Sequence, residues 1–209
     1  MNRKKIYLVR HGQTDFNLKG VVQGSGINAD INETGRKQGE LFFKAYRNVP
    51  FDQLYHTALI RTKQSIQGFL DLGIPATTLP ELNEISWGDY EGTPMTPDES
   101  QYYHHMLNQW KIGNLDYAIA GGESPNIVAA RMIKGIEKII SDPGENVLVC
   151  MHGRAMRIFL SLILKKDLKN MDDFEHQNLC LYLLEKNEDG GFDLLRGNDV
   201  SHLKELDEA

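Results

Sequence analysis

Short apolar runs alternate with segments of helical period along this chain. IYLV (6–9) and VLVCM (147–151) have the length and β-branched content of strands buried on both faces. ETGRKQGELFFKAY (33–46) reads as a helix, with Thr34 as candidate N-cap and Leu41, Phe42 and Ala45 on one face. FDQLYHT (51–57) predicts a short strand, and IRTKQSIQGFLDLG (60–73) a helix closed by Gly73. Ser124-Pro125 is the cleanest helix start, an N-cap followed by proline at the first helical position. From it Val128, Met132, Ile136 and Ile139 recur at helical spacing, and DPGEN (142–146) then supplies turn chemistry. RAMRIFLSLIL (154–164) predicts a mostly buried helix, and CLYLLE (180–185), NEDGG and FDLL a hairpin. Strands alternating with helices predict an α/β architecture on a mainly parallel sheet. No repeat or linker interrupts it, so residues 1–209 are expected to form a single domain. The stretch 93–122 is the least regular and is expected to be a cap or insertion.

Composition narrows the classes. With 209 residues, a formal charge of −6 and 41% hydrophobic content, the chain can build a full core as a soluble globular protein. Its scattered lysines and arginines make no footprint for a polyanion, so no nucleic acid partner is expected, although a local basic pocket remains open. Cys150 and Cys180 form no C-x-x-C pair, and both read as reduced, structural thiols. Four apolar residues after MNRKK are too few for a secretory segment, and no run approaches membrane-spanning length. A cytoplasmic protein with no membrane partner is the expectation. Monomer and homodimer both stay open.

One pattern occurs twice: a buried strand ending in His-Gly, as Arg10-His11-Gly12 and as His152-Gly153. In a parallel sheet the carboxyl ends of strands share one edge, where ligands of open α/β folds bind, so the two imidazoles can meet there. A glycine after each allows a tight turn and close approach of a ligand. A single histidine after a strand is ordinarily a satisfied side chain; two in equivalent places are harder to assign to accident. Zinc wants three or four ligands at a spacing such as H-E-x-x-H, which is absent, and adjacent His104 and His105 read as surface residues, so no metal and no other cofactor is expected. Two histidines beside arginines suit phosphoryl transfer: guanidinium forks hold a dianion while a neutral imidazole attacks phosphorus in line. Arg10 and Arg61 are candidates for the forks, the latter at a helix start.

LVRHGQTDFN resembles the signature of the histidine phosphatase superfamily, the phosphoglycerate mutase-like proteins. Further matching pieces follow in order: Gln23-Gly24, NETGRKQG, LYHTALIRTKQS, LNEISWGDYEG, GGES and VLVCMHG, with SHL near the end. The resemblance implies a three-layer α/β/α sandwich. It implies that His11 is the nucleophile, forming a phosphohistidine, and that Arg10, Arg61 and His152 bind the phosphoryl group. Asn17 would line the same pocket, the loop after Gln23 and Gly24 would flank it, and backbone around Gly12 and Gly153 would add N–H donors. His152, protonated beside the anion, would donate to a phosphate oxygen. Protonating an alkoxide leaving group is a task for a carboxylic acid of raised pKa in a partly enclosed site. A lone glutamate is ordinarily a surface residue, but Glu84 occupies the position of the family's general acid; Glu91 is given a structural role.

Gly24-Ser25-Gly26-Ile27-Asn28-Ala29 satisfies the dinucleotide fingerprint but has no strand leading into it. Ser161 has no G-x-S-x-G elbow. Two departures from the family stand out: His56-Thr57 where two serines are frequent, and Met151 where a small hydroxyl residue is frequent. Both bear on hydrogen bonding around Arg61 and His152. True mutases of the family carry a longer basic insertion after the general acid, whereas the stretch 93–122 has one lysine and no arginine. Water is therefore the expected acceptor. The favoured reading is a metal-independent phosphomonoesterase acting on a small phosphorylated metabolite; a mutase and a non-catalytic phospholigand-binding protein are the alternatives. Tyr102, Tyr103, Trp110 and Tyr117 either stack on substrate or form the core of the cap.

Overall fold

A computed structural model describes residues 3–207, and the run IYLV lies inside its first strand, β1 (Lys5–Arg10). A short helix α1 (Asp15–Leu18) follows, opened by a reciprocal cap between Thr14 and Asn17. Helix α2 (Glu33–Tyr46) spans the predicted residues, but its N-cap is Asn32, not Thr34. Asn32 is extended and its side chain accepts from Gly35 N at 2.9 Å, which leaves Thr34 inside the first turn. Of the expected inward face Leu41, Phe42 and Ala45, Phe42 alone packs in the core, joined by Phe43 and Tyr46, and Ala45 is exposed.

After β2 (Gln53–His56), the helix predicted over 60–73 divides into α3 (Ile60–Ser65) and α4 (Gln67–Asp71). Ile66 between them leaves helical geometry, at φ −115° and ψ 19°, and its side chain is buried against the sheet. Gly73, at φ +76°, then ends the segment as expected. Strand β3 (Ala76–Thr78) completes this half. The region read as irregular contains a four-turn helix, α5 (Pro97–Lys111), opened by a capping box in which Thr96 accepts from Glu99 N and the Glu99 carboxylate from Thr96 N. Then come α6 (Pro125–Ser141), β4 (Asn146–Met151), α7 (Gly153–Ile163), the hairpin β5 (Leu181–Lys186) and β6 (Phe192–Asp199), and α8 (Lys204–Asp207).

The six strands form one sheet in the order β3-β2-β4-β1-β5-β6; β1 to β4 run parallel, β5 is antiparallel to β1, and β6, antiparallel to β5, runs again in the direction of β1. Alternation along the central strands sends Ile6, Leu8, Val147 and Val149 to one face, under Val128, Met132 and Ile139 of α6 and Ile158 and Phe159 of α7. Val9, Leu148 and Cys150 face the other way, under Phe42, Ile66 and Phe69 from α2 to α4. The result is the three-layer α/β/α arrangement. Among the described residues no helix is long and apolar enough to cross a membrane.

The sheet order places the chemistry. β1 and β4 are parallel neighbours with Arg10 opposite Met151, and His11 N donates to Met151 O at 2.9 Å, so both His-Gly turns leave one edge side by side. The turn after β1 is held against α2 by two glycines: a side chain on Gly12 would lie 2.7 Å from Gly35 O, and one on Gly35 would strike the Gln13 backbone and Ile31 Cβ. Gly35→Ala therefore forces backbone apart and is expected to cost about 1–3 kcal/mol or more. A denaturant midpoint equal to that of the parent protein would show that this contact yields freely.

Candidate active site

His11 is 3% exposed, and its Nδ1 lies 2.7 Å from Gly12 O. A carbonyl can only accept, so Nδ1 carries the hydrogen. Burial first, then the cations Arg61 and Arg10, hold the imidazole pKa well below its ordinary value. The ring is thus neutral, with its lone pair on Nε2. Asn178 steadies the turn, its side chain donating to His11 O at 3.0 Å and to Asn17 Oδ1 at 3.1 Å.

His152 stands beside it, ring centroids 5.3 Å apart. Arg61 Nε donates to His152 Nδ1 at 3.2 Å, so His152 Nε2–H donates to Thr57 Oγ1 at 2.8 Å. Thr57 Oγ1 in turn accepts from Leu59 N and meets Thr62 Oγ1. Arg61 thus sets the tautomer of the second histidine, and the threonine that departs from the family pattern accepts its Nε2–H. Burial, then Arg61, His11 and Arg10, push the His152 pKa well below normal, so this ring too is neutral and both of its nitrogens are engaged.

Arg61 is fully buried, and burial draws its pKa down to about 10. Besides His152, its guanidinium donates to Ile27 O at 2.6 Å and Gly24 O at 3.2 Å. Two of its five donors thus tie down the loop after Gln23 and a third holds His152, and Arg61 is not among the residues that line the cavity. Gly24 likewise stands off the cavity, against the Glu91 carboxylate, which accepts from Trp87 N at 2.8 Å. At Gly12 and Gly153 protein packs closely against the backbone. Gly12 N is spent on Ser65 Oγ at 2.8 Å, and the space beside each α-carbon is filled by protein, Gly35 in one case and the His176 ring in the other.

The two His-Gly turns open onto a cavity of about 300 Å³ lined by Arg10, His11, Asn17, Gln23, Glu84 and Gly153. Glu84 is 6% exposed and sits at the start of α7. Its Oε1 accepts from Ile85 N and Ala155 N, and its Oε2 from Arg154 N at 3.1 Å, leaving Oε2 the less occupied oxygen. Arg131 fixes the backbone on both sides, donating to Asn83 O and Glu84 O and pairing with Glu123. Arg10 donates from Nη1 toward His176 Nδ1 at 3.3 Å. Arg10 Nε and Gln23 Nε2 are buried donors without a partner among the described residues. Unpaired buried donors are costly, and two that border one cavity mark a place for an anion.

Further residues on the cavity wall were not apparent from sequence: Val22, Trp87, Arg154, Arg157 and His176. Two arginines three apart in the apolar helix 154–164, directly after His152-Gly153, were the available signal. Burial, then Arg10, Arg157 and Arg154, lower the His176 pKa to about 3. The aromatic residues divide: Trp110 is core, 1% exposed and stacked on Trp87 at 6.0 Å, whereas Tyr103 of α5 lines the cavity. His104 and His105 are exposed, as expected. No three His, Cys, Asp or Glu side chains among the described residues are gathered closely enough to hold a metal ion.

Known proteins share the fold. The chain is 31% identical over 165 residues to a protein described as a probable phosphoglycerate mutase (GpmB) of Yersinia pestis (strain Pestoides F), covering 77% of this chain and 74% of that one. Its fold superposes on YhfR of Bacillus stearothermophilus (TM-score 0.82, 24% identity, 96% of this chain and 100% of that one). It also matches a mycobacterial glucosyl-3-phosphoglycerate phosphatase (TM-score 0.81, 20% identity, 94% and 99%) and the α-ribazole phosphatase of Shigella flexneri (0.80, 22%, 93% and 96%). The profile of the histidine phosphatase superfamily (branch 1) spans residues 6–200. The fold, the matched span and the paired histidine turns agree: the chain belongs to the histidine phosphatase superfamily, branch 1.

Proposed function

We propose that this protein is a metal-independent phosphomonoesterase that hydrolyses a small phosphorylated metabolite through a phosphohistidine on His11. The observation that carries the reading is the neutral, Nδ1-protonated His11 on a cavity whose wall also holds unpaired arginine and glutamine donors. His11 Nε2 attacks phosphorus, the ester P–O bond breaks, and Glu84 passes a proton from Oε2 to the leaving oxygen. Glu84 then takes a proton from water, the water oxygen attacks phosphorus, and the P–N bond breaks to give inorganic phosphate and free His11. Arg10 and Gln23 meet the equatorial oxygens, and Asn17 borders them. An arriving dianion favours protonation of His152, whose Nδ1–H can then point at a phosphoryl oxygen; Arg61 Nε, released from Nδ1, turns to the same group. Residues 93–122, with Tyr103, act as a cap of the one domain.

Glu84→Gln separates the acid step from the nucleophile. It is expected to slow alkyl phosphates about 10²–10⁴-fold and p-nitrophenyl phosphate far less, because nitrophenolate leaves without help. Equal losses on both would remove Glu84 as the proton donor. A mutase is the second reading, favoured by the description of the Yersinia relative. Incubation with 3-phosphoglycerate and its bisphosphate primer decides between them: phosphate release faster than isomerisation supports the phosphatase, and the reverse order supports the mutase.

A further inference from the structure

The SHL triplet near the end of the chain takes no part in the chemistry above, yet its histidine is built into the support of the catalytic turn. Ser201–Leu203 forms one turn of 3-10 helix between β6 and α8. His202 Nε2 lies 2.9 Å from Leu179 O, and since a carbonyl only accepts, Nε2 carries the hydrogen. The ring stands edge-on to Phe42 and Tyr46 of α2, centroids 5.2 and 5.7 Å away, which fixes the direction of that N–H. Leu179 in turn donates its N–H to Arg10 O at 3.1 Å, and its neighbour Asn178 donates from its side chain to His11 O at 3.0 Å. The two carbonyls on either side of the His11 α-carbon are therefore held by consecutive residues of one segment. Leu179 is fully buried and lies at φ +54°, in the left-handed region that a leucine enters only under constraint.

We infer that His202 is a positioning residue for catalysis: by holding Leu179 O it keeps Leu179 left-handed, and through Leu179 it keeps Arg10 and His11 aligned with the cavity. This rests on the reading above that His11 is the nucleophile and that Arg10 meets the phosphoryl group. The dihedral φ sets how a residue's N–H is turned relative to its own C=O. At an ordinary negative φ, Leu179 would aim one of the two at its present partner but not both. Without the His202 donor the buried carbonyl is left unpaired, nothing opposes the strain, and relaxation carries the N–H away from Arg10 O. Such a shift is costly at this place, since a displacement of about 1 Å at reacting atoms slows a reaction on the order of 10²-fold. His202, Leu179, Phe42 and Tyr46 do not line the cavity, so the effect reaches the reaction through the backbone alone.

Two substitutions separate the donor from the packing. His202→Phe keeps a ring against Phe42 and Tyr46 and removes the N–H; His202→Gln offers an amide N–H where Nε2 stood. With p-nitrophenyl phosphate, His202→Phe is expected to lower kcat about ten-fold or more, with a much smaller change in KM, and His202→Gln to restore most of the loss. Titration calorimetry with vanadate, which adopts the five-coordinate geometry of the transferring phosphorus, should show a similar loss of affinity in His202→Phe, while inorganic phosphate changes less than three-fold. A partly unfolded sample would lower the number of vanadate sites and leave their affinity intact. If His202→Phe does not fold, His202→Asn, whose amide stops short of Leu179 O, takes its place; if neither folds, His202 supports the fold as a whole and the positioning role is lost. A kcat within three-fold of the parent protein, equal weakening of vanadate and phosphate, or no recovery in His202→Gln also overturns it. The phosphatase reading fails separately, if the parent protein releases no phosphate while vanadate affinity still falls in His202→Phe and returns in His202→Gln.

Discussion

His11→Ala lowers kcat for every phosphomonoester by about 10⁴-fold or more. The expectation follows from what the other candidates are doing. His152 has Nδ1 taken by Arg61 and Nε2 by Thr57, so its ring offers no free lone pair to phosphorus. His176 spends Nδ1 on Arg10. Glu84 accepts three backbone N–H groups. His11 alone among these histidines keeps a ring lone pair, on Nε2, that no neighbour engages, on the cavity wall. Phosphate release measured with chelator present, alongside circular dichroism to establish folding, checks the prediction. Turnover within ten-fold of the parent protein would move the nucleophile elsewhere.

Acid should destabilise this fold steeply, and before its carboxylates titrate. His11, His152 and His176 are held neutral, each with its pKa lowered in the folded state, to about 3 for His176. In the unfolded chain they titrate near the ordinary 6.5. Above that value the effect is constant; as pH falls below it the unfolded chain takes up protons that the folded protein refuses. Each histidine then removes about 1.4 kcal/mol per pH unit, and the three together about 4 kcal/mol per unit. The lower end of typical domain stability, about 5 kcal/mol, would be exhausted near pH 5. Asp172 and Glu123, whose pKa values are lowered, lose their contribution only below the ordinary carboxylate range, so the two effects occupy different windows. Inorganic phosphate, placed beside the histidines, favours their protonated forms in the native state and should flatten the decline. Urea midpoints from pH 7.5 to pH 4.5, with and without phosphate, provide the measurement. A midpoint constant from pH 6.5 to pH 5 would mean that these rings are protonated in the folded protein.

How much of this was legible in the residues depended on how local the cause was. The strands at IYLV and VLVCM and the start of α6 at Ser124-Pro125 rest on short-range signals, and all appear where the pattern puts them. The cap of α2 was missed because Asn32 and Thr34 are both competent caps, and the choice falls to Asn32 through the backbone that leads into it. Helix α5 carried its own sign, Thr96-Pro97 with Glu99, hidden among aromatic residues that break a simple apolar period.

The site divided in the same way. That His11 and His152 meet follows from two equivalent strand ends, since β1 and β4 are neighbours in the sheet. The partners of Arg61 could not be read, because Gly24 O, Ile27 O and His152 reach it from separate loops. His176 and Asp172 lie outside every motif; only the folded chain brings them to α7. Gly12 and Gly153 were recognised from the strands that they follow, whereas the close approach of Gly35 to one and of the His176 ring to the other comes from segments elsewhere in the chain.

The central claim is that phosphorus becomes bonded to His11 Nε2. Rapid mixing with a phosphomonoester, quenching in base, where phosphohistidine survives, and mass spectrometry of the peptides test it directly. The account predicts one phosphoryl group on the peptide containing His11, lost on brief acid treatment and absent from His11→Ala. A phosphoryl group on another residue, or full turnover with His11 never labelled, would contradict it.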